Sequence, residues 1–463
     1  MATTAHYDAI IIGAGQSGGP LATALGQSGK KTAIIEREHV GGTCINEGCT
    51  PTKTMVASAR AAYVARRAED FGVHTGPISI DMAVVRKRKR DIVDSFRGGS
   101  QSRLEKSEGV DLLMGEAAFI APKAVEVHLN DGRIQQLTSD LFFINTGERP
   151  SVPPLEGIEN VPYLNSTSIM ELNVVPDHLL IIGGGYIGLE FGQMFRRFGS
   201  RVTIVQRGKQ LLAREDSDIA EEVAKILRED GIEVLLETST SHVTKDANGT
   251  IQLTVKTHGG ERVLSGSHLL AGTGRTPNTD KLNLDATGVQ VNKKGYIQVN
   301  DTLETNVQGI YALGDVKGPP AFTHVSYDDF RIIRTNLIEH GKASISDRLV
   351  PYTVFIDPQL GRVGLSENEA KQQGKNFKVA KMPMNYVARA LETDEPRGLM
   401  KVIVDPDTKL ILGCAILGMD GGEIMSMLQI AMLGKLPYNV LEEGMFAHPT
   451  LAESLNNLFG VIE

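Results

Sequence analysis

Two of the three cysteines in this 463-residue chain stand five positions apart, in Gly41-Gly42-Thr43-Cys44-Ile45-Asn46-Glu47-Gly48-Cys49-Thr50-Pro51-Thr52-Lys53. A disulfide needs Cα atoms roughly 4.4–6.8 Å apart. In a regular helix, positions i and i+5 lie about 8.6 Å apart, from the rise and turn per residue. Cys44 and Cys49 can therefore bridge only if the turn is distorted or if Cys44 precedes the helix. Pro51 favours a helix boundary here, because a first-turn proline forfeits no hydrogen bond. Gly41, Gly42 and Gly48 let the backbone bend and approach another group closely. Cys49 then stands near a helix N-terminus, whose dipole lowers a thiol's pKa. Such a strained, exposed, low-pKa pair is expected to be a redox disulfide. The alternatives are a zinc site, which wants more Cys or His than the segment offers, and a structural bridge, unusual in a chain without a secretory signal.

A redox disulfide needs a source of electrons, and the sequence on either side of the segment supplies one. A strand is expected over 7–12, and within it Ala9-Ile10-Ile11-Ile12 reads as a buried parallel strand. It ends at Gly13-Ala14-Gly15-Gln16-Ser17-Gly18, followed by a helical stretch to about Gln27 and a strand over 31–35 that ends in Glu36. Gly13, Gly15 and Gly18 give the tight turn, the close approach to a pyrophosphate and the helix–strand packing. The helix N-terminus binds the phosphates, and Glu36 can accept from a ribose hydroxyl. The pattern then repeats: a strand over 179–182, Gly183-Gly184-Gly185-Tyr186-Ile187-Gly188, a helix to Phe198 and a strand over 201–205. Gly18 to Glu36 and Gly188 to Gln206 both span 18 positions. Two fingerprints predict two dinucleotides, one able to pass electrons to the other. Gln206-Arg207 replaces the acid in the second unit. A neutral residue plus a cation accommodates a 2′-phosphate, so NADPH is expected ahead of NADH, unless Arg207 is a solvated loop residue.

Composition bounds the rest. A chain of 463 residues holds several domains. Its net charge of −8 argues against nucleic-acid binding. No apolar run reaches the roughly 18 residues of a membrane span. The chain enters a strand almost at once, so neither a signal peptide nor a long leader is expected, and the protein is expected in the cytoplasm. Cys414 lies in an apolar strand-like run and is expected in the core; a third redox centre is the alternative. Arg86-Lys87-Arg88-Lys89-Arg90 is expected to form a solvated helix face, with an acidic partner as the alternative. The active-site helix is expected to continue over 57–68. Short strands are expected over 111–144 with a turn at Asn130-Asp131-Gly132, and a boundary at Pro150, Pro153 and Pro154. From about Ser346, strands over 352–355, 398–404 and 409–417 and a helix over 422–433 suggest an antiparallel sheet. No metal site is expected.

The cysteine segment matches every fixed position of G-G-T-C-x-N-x-G-C-x-P-[ST]-K. It resembles the active-site motif of the class I pyridine nucleotide–disulfide oxidoreductases, the family of dihydrolipoamide dehydrogenase, glutathione reductase and mercuric reductase. Four further stretches resemble the same family: Asn145-Thr146-Gly147, 272–278 (a G-R-x-P-N segment), 305–315 (its second FAD motif) and His448-Pro449-Thr450-Leu451-Ala452-Glu453 (its H-P-T-x-x-E). The resemblance covers essentially the whole chain. It implies an α/β fold with two Rossmann-like dinucleotide-binding domains, for FAD and NAD(P), and a C-terminal α+β dimerisation domain. The expected spans are 1–150 and 276–345 for the two parts of the FAD domain, 151–275 for NAD(P) and 346–463 for the interface.

By the same resemblance, FAD would be held by Gly13, Gly15, Gly18, Glu36, Gly42, Thr43, Lys53, Thr146, Gly147 and Asp315. NADPH would be held by Gly183, Gly185, Tyr186, Gly188, Glu190, Gln206, Arg207 and Gly274, with Tyr186 as a gate. Cys49 would be the thiol nearer the flavin and Cys44 the interchange thiol. Lys53 would pair with Glu190, and His448 and Glu453 would form an acid–base dyad acting from the second subunit of a homodimer. Stretches 322–331, 350–355 and 446–459 most resemble mercuric-reductase-like and reactive-chlorine-resistance flavoproteins. The acceptor implied is a metal ion such as Hg(II) or Cu(II), a reactive oxidant or a small disulfide. Mercuric reductases end in a cysteine pair and lack the histidine, whereas this chain keeps His448 and has no cysteine after Cys414. Thr50 and Gln206 depart from dihydrolipoamide dehydrogenases, which remain an alternative. A flavin redox sensor or accessory subunit without turnover is the alternative of another class; a sensor would not need the dyad.

Overall fold

The computed structural model describes residues 3–346 and 348–462, so positions 1, 2, 347 and 463 of the expected domain spans lie outside the described residues. The chain forms two compact units, one of residues 1–54, 84–151 and 274–348, the other of 55–83, 152–273 and 349–463. Residues 55–83, read from the sequence as part of the first span, cluster with the second unit.

The first unit is built on an eight-stranded sheet. Its order is Thr3–His6, Ile134–Thr138, Ala124–Leu129, Val110–Ala121, Thr32–Glu36, Ala9–Ile12, Phe142–Ile144, Ile310–Ala312. From Val110–Ala121 to Ile310–Ala312 every pairing is parallel. Ala9–Ile12 lies among these, buried along its whole length, which is why it reads as an unbroken apolar run. The helix Gly18–Gln27 is the crossover to Thr32–Glu36. The expected strand over 7–12 is in fact preceded by a separate strand. Thr3–His6 pairs with Ile134–Thr138, and the chain breaks at Tyr7 and Asp8 before joining the parallel sheet. The Asp8 carboxylate accepts from the Lys31 N–H at 2.8 Å, and the Tyr7 hydroxyl donates to Asp111 at 2.8 Å.

The short strands expected over 111–144 include one of 12 residues, Val110–Ala121. Its first half pairs parallel to Thr32–Glu36 and its second half antiparallel to Ala124–Leu129. Gly115 stands at the change, where a Cβ would lie 2.5 Å from the His128 carbonyl oxygen. The cationic run lies in the helix Met82–Glu105, and it is not wholly solvated. Lys89 is 4 % exposed, on the helix face that also buries Met82 and Val93. Five consecutive helical residues span more than one turn of about 3.6 residues, so one of them faces inward.

In the second unit, Glu233–Leu235, Arg201–Val205, His178–Ile182 and His268–Ala271 form a parallel four-stranded sheet. A three-stranded antiparallel sheet accompanies it. A five-stranded antiparallel sheet runs Tyr352–Val354, Gln359–Gly364, Ile411–Gly418, Leu399–Val404, Lys378–Pro383, and the helix Gly421–Leu433 packs on it. Two of these strands, Gln359–Gly364 and Lys378–Pro383, escape the sequence reading. The first carries Gly361 because the Gly421 carbonyl oxygen lies 2.4 Å from where a Cβ would stand, and a glycine weakens the strand signal. Cys414 is fully buried in this core, and burial pushes its thiol up to about 12.

The architecture is α/β, with two Rossmann-like dinucleotide-binding folds and a C-terminal α+β domain. Among the described residues no helix is long and apolar enough to cross a membrane.

Candidate active site

The cysteine segment folds as two helices with a break between them. Cys44 lies in Gly42–Asn46, and Cys49 is the first residue of Cys49–Arg66, with Pro51 in its first turn. Gly41 and Gly42 have φ of 104° and 62°, and a Cβ on Gly42 would lie 2.8 Å from Gly15 Cα. Gly48 is required for a different reason. A Cβ there would lie 2.8 Å from the Thr43 carbonyl oxygen and 3.3 Å from Cys44 Cα. The chain doubles back at this point and brings the second thiol against the first.

Cys44 and Cys49 stand here as thiols, the first half-buried and the second exposed. The Cys44 thiol is pushed well up by its hydrogen bond with Cys49 and by burial, while Thr323 and the Lys53 charge pull it down. The low pKa expected of the pair is thus not a property of Cys44. Two thiols that share a hydrogen bond titrate together, and the first thiolate makes the second proton harder to remove. Cys49 Sγ lies 3.5 Å from the Thr323 hydroxyl, at the start of the helix Thr323–Leu337. Sequence reasoning misses Thr323 as a neighbour of the thiols, since nothing in its spacing ties it to Cys49.

Beside this segment the first fingerprint forms a cradle. Gly13 has φ +103°, and a Cβ on it would lie 2.3 Å from the Asn145 carbonyl oxygen. A Cβ on Gly15 would lie 2.8 Å from Asn145 Oδ1, and one on Gly18 2.1 Å from the Gly13 oxygen. Asn145, absent from the expected site residues, ties loops together: its Oδ1 accepts from Gly18 N–H at 3.0 Å and its Nδ2 donates to the Leu313 oxygen at 2.8 Å. Glu36 Oε2 accepts from Ala14 N–H at 2.9 Å, while Oε1 accepts from Glu38 N–H at 2.9 Å and His39 N–H at 3.3 Å, so the spare lone pair is on Oε2. Thr146 donates to the Asn278 oxygen at 2.9 Å, and Gly147, with φ +65°, faces open space.

Asp315 lies in a short turn after Ile310–Ala312. Burial and the charge of Glu148 push its carboxyl up to about 6, against the pull of Arg275 and Lys317. A desolvated carboxylate gains from hydroxyl donors, so the glycine cradle, Glu36 and Asp315 together fit a dinucleotide that carries a polyol chain. The raised pKa has a consequence in the FAD-free protein. Asp315 ionises more readily unfolded than folded, so its ionisation destabilises the fold above pH 6, and that effect disappears as pH falls below about 4. Asp315→Asn should therefore stabilise the apoprotein at neutral pH by roughly 2–3 kcal/mol in urea unfolding, with the gain shrinking as pH falls through 6.

The second fingerprint repeats this construction. Gly183 has φ +111°, and a Cβ on it would lie 2.4 Å from the Gly272 oxygen; one on Gly188 would lie 2.1 Å from the Gly183 oxygen. Gly185, the N-cap of Tyr186–Phe198, faces open space, and Tyr186 is exposed. Gln206 Oε1 accepts from Gly184 N–H at 3.1 Å, as Glu36 accepts from Ala14. Arg207 is exposed beside it, and so is Lys209, a second cation that the sequence reading overlooks. Gly274, expected with this cradle, clusters with the first unit, where its oxygen accepts from Ser151 N–H at 3.0 Å; Gly272 is the glycine of that turn which meets Gly183. Glu190 is buried in Tyr186–Phe198, and its carboxylate accepts from Phe355 N–H at 2.9 Å.

His448 and Glu453 meet as their spacing suggests. His448 Nδ1 lies 2.8 and 3.0 Å from the two carboxylate oxygens of Glu453. A carboxylate at Nδ1 holds a proton there and leaves the Nε2 lone pair outward. The ring is 68 % exposed.

The profile of the family Pyridine nucleotide-disulphide oxidoreductase matches residues 7–329, and that of the family's dimerisation domain matches 350–459. The chain is 38% identical over 461 residues to the probable pyridine nucleotide-disulfide oxidoreductase RclA of Escherichia coli (strain K12), covering 99% of each chain. It is 35% identical over 449 residues to a mercuric reductase of Staphylococcus aureus, covering 97% of this chain and 81% of that one. A solved structure, the Cu(II) complex of the HOCl-induced flavoprotein disulfide reductase RclA from Escherichia coli, matches with a TM-score of 0.89 at 37% identity, covering 98% of this chain and 100% of that one.

Proposed function

The chain belongs to the pyridine nucleotide-disulphide oxidoreductases, FAD-dependent enzymes that use pyridine nucleotides, and on that premise we propose that it carries electrons from NADPH to a Cys44–Cys49 disulfide and on to a thiophilic metal ion, Cu(II) foremost. The observation that carries this reading is the fold-back at Gly48, which sets the two thiols in hydrogen-bond contact at a helix N-terminus. When bound, FAD supplies the two-electron relay between nicotinamide and disulfide. Gly13, Gly15, Gly18, Gly42 and Thr43 would give its pyrophosphate room and backbone donors, Glu36 would take a ribose hydroxyl, Thr146 and Gly147 would help hold the cofactor, and Asp315 would take a hydroxyl of its polyol chain. Lys53, whose charge already acts on Cys44, supplies the cation that favours reduced, anionic states at this site. Gly183, Gly185 and Gly188 would shape the NADPH site and Tyr186 would gate it, and Glu190 ties the helix Tyr186–Phe198 to Phe355 N–H.

The dithiol then gives two electrons to the acceptor: Cys44 and Cys49 re-form their S–S bond, two Cu(II) become two Cu(I), and two protons leave. His448, oriented by Glu453, would take the proton of the interchange thiol, Cys44, across a homodimer, each histidine serving the other subunit. The Cu(II) complex of the Escherichia coli relative and the mercuric reductases support a metal acceptor; reactive oxidants and small disulfides are the other candidates. A catalytic disulfide fits the reducing cytoplasm. Anaerobic turnover should yield about two Cu(I) per NADPH, because the dithiol/disulfide couple carries two electrons. Faster NADPH consumption with lipoamide than with Cu(II) would overturn the acceptor and leave the relay standing.

NADPH is proposed over NADH because Gln206 replaces an acid beside Arg207 and Lys209. Gln206→Glu should keep the fold, since Glu36 makes the equivalent bond to Ala14 in the first cradle. It should lower the NADPH-to-NADH ratio of kcat/KM by about 10- to 150-fold, the worth of one charge-assisted contact. A preference for NADH in the unmutated protein would refute the assignment.

A further inference from the structure

We propose that a cavity of about 620 Å³ in the second unit, walled by five arginines around Tyr63, binds a small molecule through its phosphate group. None of its residues is among those assigned to electron transfer. The arginines are Arg66, Arg67, Arg196, Arg197 and Arg397, and the wall contributes only three carboxylates, Glu229, Asp230 and Asp394.

The pairing within the wall shows which charges are spare. Arg67 is matched by Asp394 and Glu395, Arg397 by Asp230 at 2.7 Å, and Arg197 by Asp357. Arg66 and Arg196 have no carboxylate partner among the described residues. Arg66 donates to the Arg197 carbonyl oxygen, and Arg196 to those of Asp230 at 2.8 Å and Ser200 at 3.3 Å. Carbonyl oxygens fix the forks in place without cancelling their charge. Arg197, 5 % exposed, also has an Nε–H with no acceptor among the described residues.

Tyr63 keeps this cluster open. The Arg197 guanidinium lies 3.9 Å from its ring centroid, and its hydroxyl accepts from Arg67 at 2.9 Å and from Arg397 at 3.3 Å. The guanidinium groups are thus ordered before any ligand arrives, which removes much of the entropic cost of binding. Two uncancelled planar forks call for a dianion that accepts on several sides, and a phosphate monoester near neutral pH carries about −1.5 to −2 charges and three acceptor oxygens. The volume lies within the roughly 300–1,000 Å³ typical of small-molecule sites, so it holds an organic body as well as the phosphate.

The test is calorimetric titration of the FAD-loaded protein with inorganic phosphate and with ribose 5-phosphate, against sodium chloride at matched ionic strength. Saturable binding of either phosphate is expected. It should weaken about tenfold or more in Arg196→Gln and in Arg66→Gln; the exposed position of Arg66 makes the second variant safe for folding. Tighter binding of ribose 5-phosphate would mark an organic ligand, and equal binding a free phosphate, both in support. Arg207→Gln separates this cavity from the nucleotide site and should leave binding unchanged. Heats no larger than those of sodium chloride, binding indifferent to Arg66 and Arg196, or binding lost in Arg207→Gln would each overturn the proposal.

Discussion

Cys44→Ser and Cys49→Ser, made singly, are expected to lower NADPH-driven Cu(II) reduction by about 10,000-fold or more, the scale seen when one member of a catalytic unit is removed. The two thiols act as one couple. Neither can form the disulfide alone, so the effects should be equal and the double variant no worse than either. Both proteins should keep their flavin, because the cradle rests on Asn145, Glu36 and the glycine loops rather than on the thiols. Flavin absorbance and steady-state rates on the same preparations check both halves. Gly48→Ala supplies a geometric counterpart. Its Cβ would press 2.8 Å from the Thr43 oxygen, spoiling the approach of the thiols while leaving both in place.

His448→Ala is expected to cost about 100- to 10,000-fold, the usual contribution of a positioned acid–base group. We expect that histidine to serve the partner subunit's disulfide. The dyad stands in the dimerisation domain, where Ile430, Leu433 and Met445 are 69 %, 65 % and 100 % exposed in the single chain. Large apolar side chains left bare in this way mark an interface, and a two-fold dimer would create two identical shared sites. Mixing Cys44→Ser subunits with His448→Ala subunits distinguishes the arrangements. If the histidine acts in trans, each heterodimer has one site with both groups and one with neither, and regains about half the activity. If it acts within its own chain, every site lacks one group, and a verified heterodimer stays inactive.

What the sequence reveals of the site follows from how local the chemistry is. The cysteine spacing, the helix start at Cys49 and the two glycine turns are each set within a dozen residues, so they can be read directly. The His448–Glu453 contact spans one short loop and is equally legible. Asn145, Glu148, Gly272 and Thr323 act across the fold. Asn145 reaches Gly18 and Leu313, positions 127 and 168 residues away, and no periodicity records such a contact. Gln206 shows the reverse. Its missing charge is visible in the sequence, but its bond to Gly184, which gives the side chain a structural duty as well, is not. Lys89 and Gln359–Gly364 escape for packing reasons: the first is a cation that a helix turns inward, the second a strand thinned by glycine to admit a neighbouring backbone.

Cycling of Cys44 and Cys49 between disulfide and dithiol at the expense of NADPH can be read from the thiols themselves. The experiment is anaerobic alkylation of the unmutated, FAD-loaded protein, followed by peptide mass spectrometry, before and after one equivalent of NADPH. Denaturing alkylation of the resting enzyme should label Cys414 and leave Cys44 and Cys49 as a linked pair. After NADPH both should carry label, and Cu(II) added before the alkylating agent should abolish it again. Labelling of Cys44 and Cys49 that is the same with and without NADPH would show that the pair does not carry the electrons.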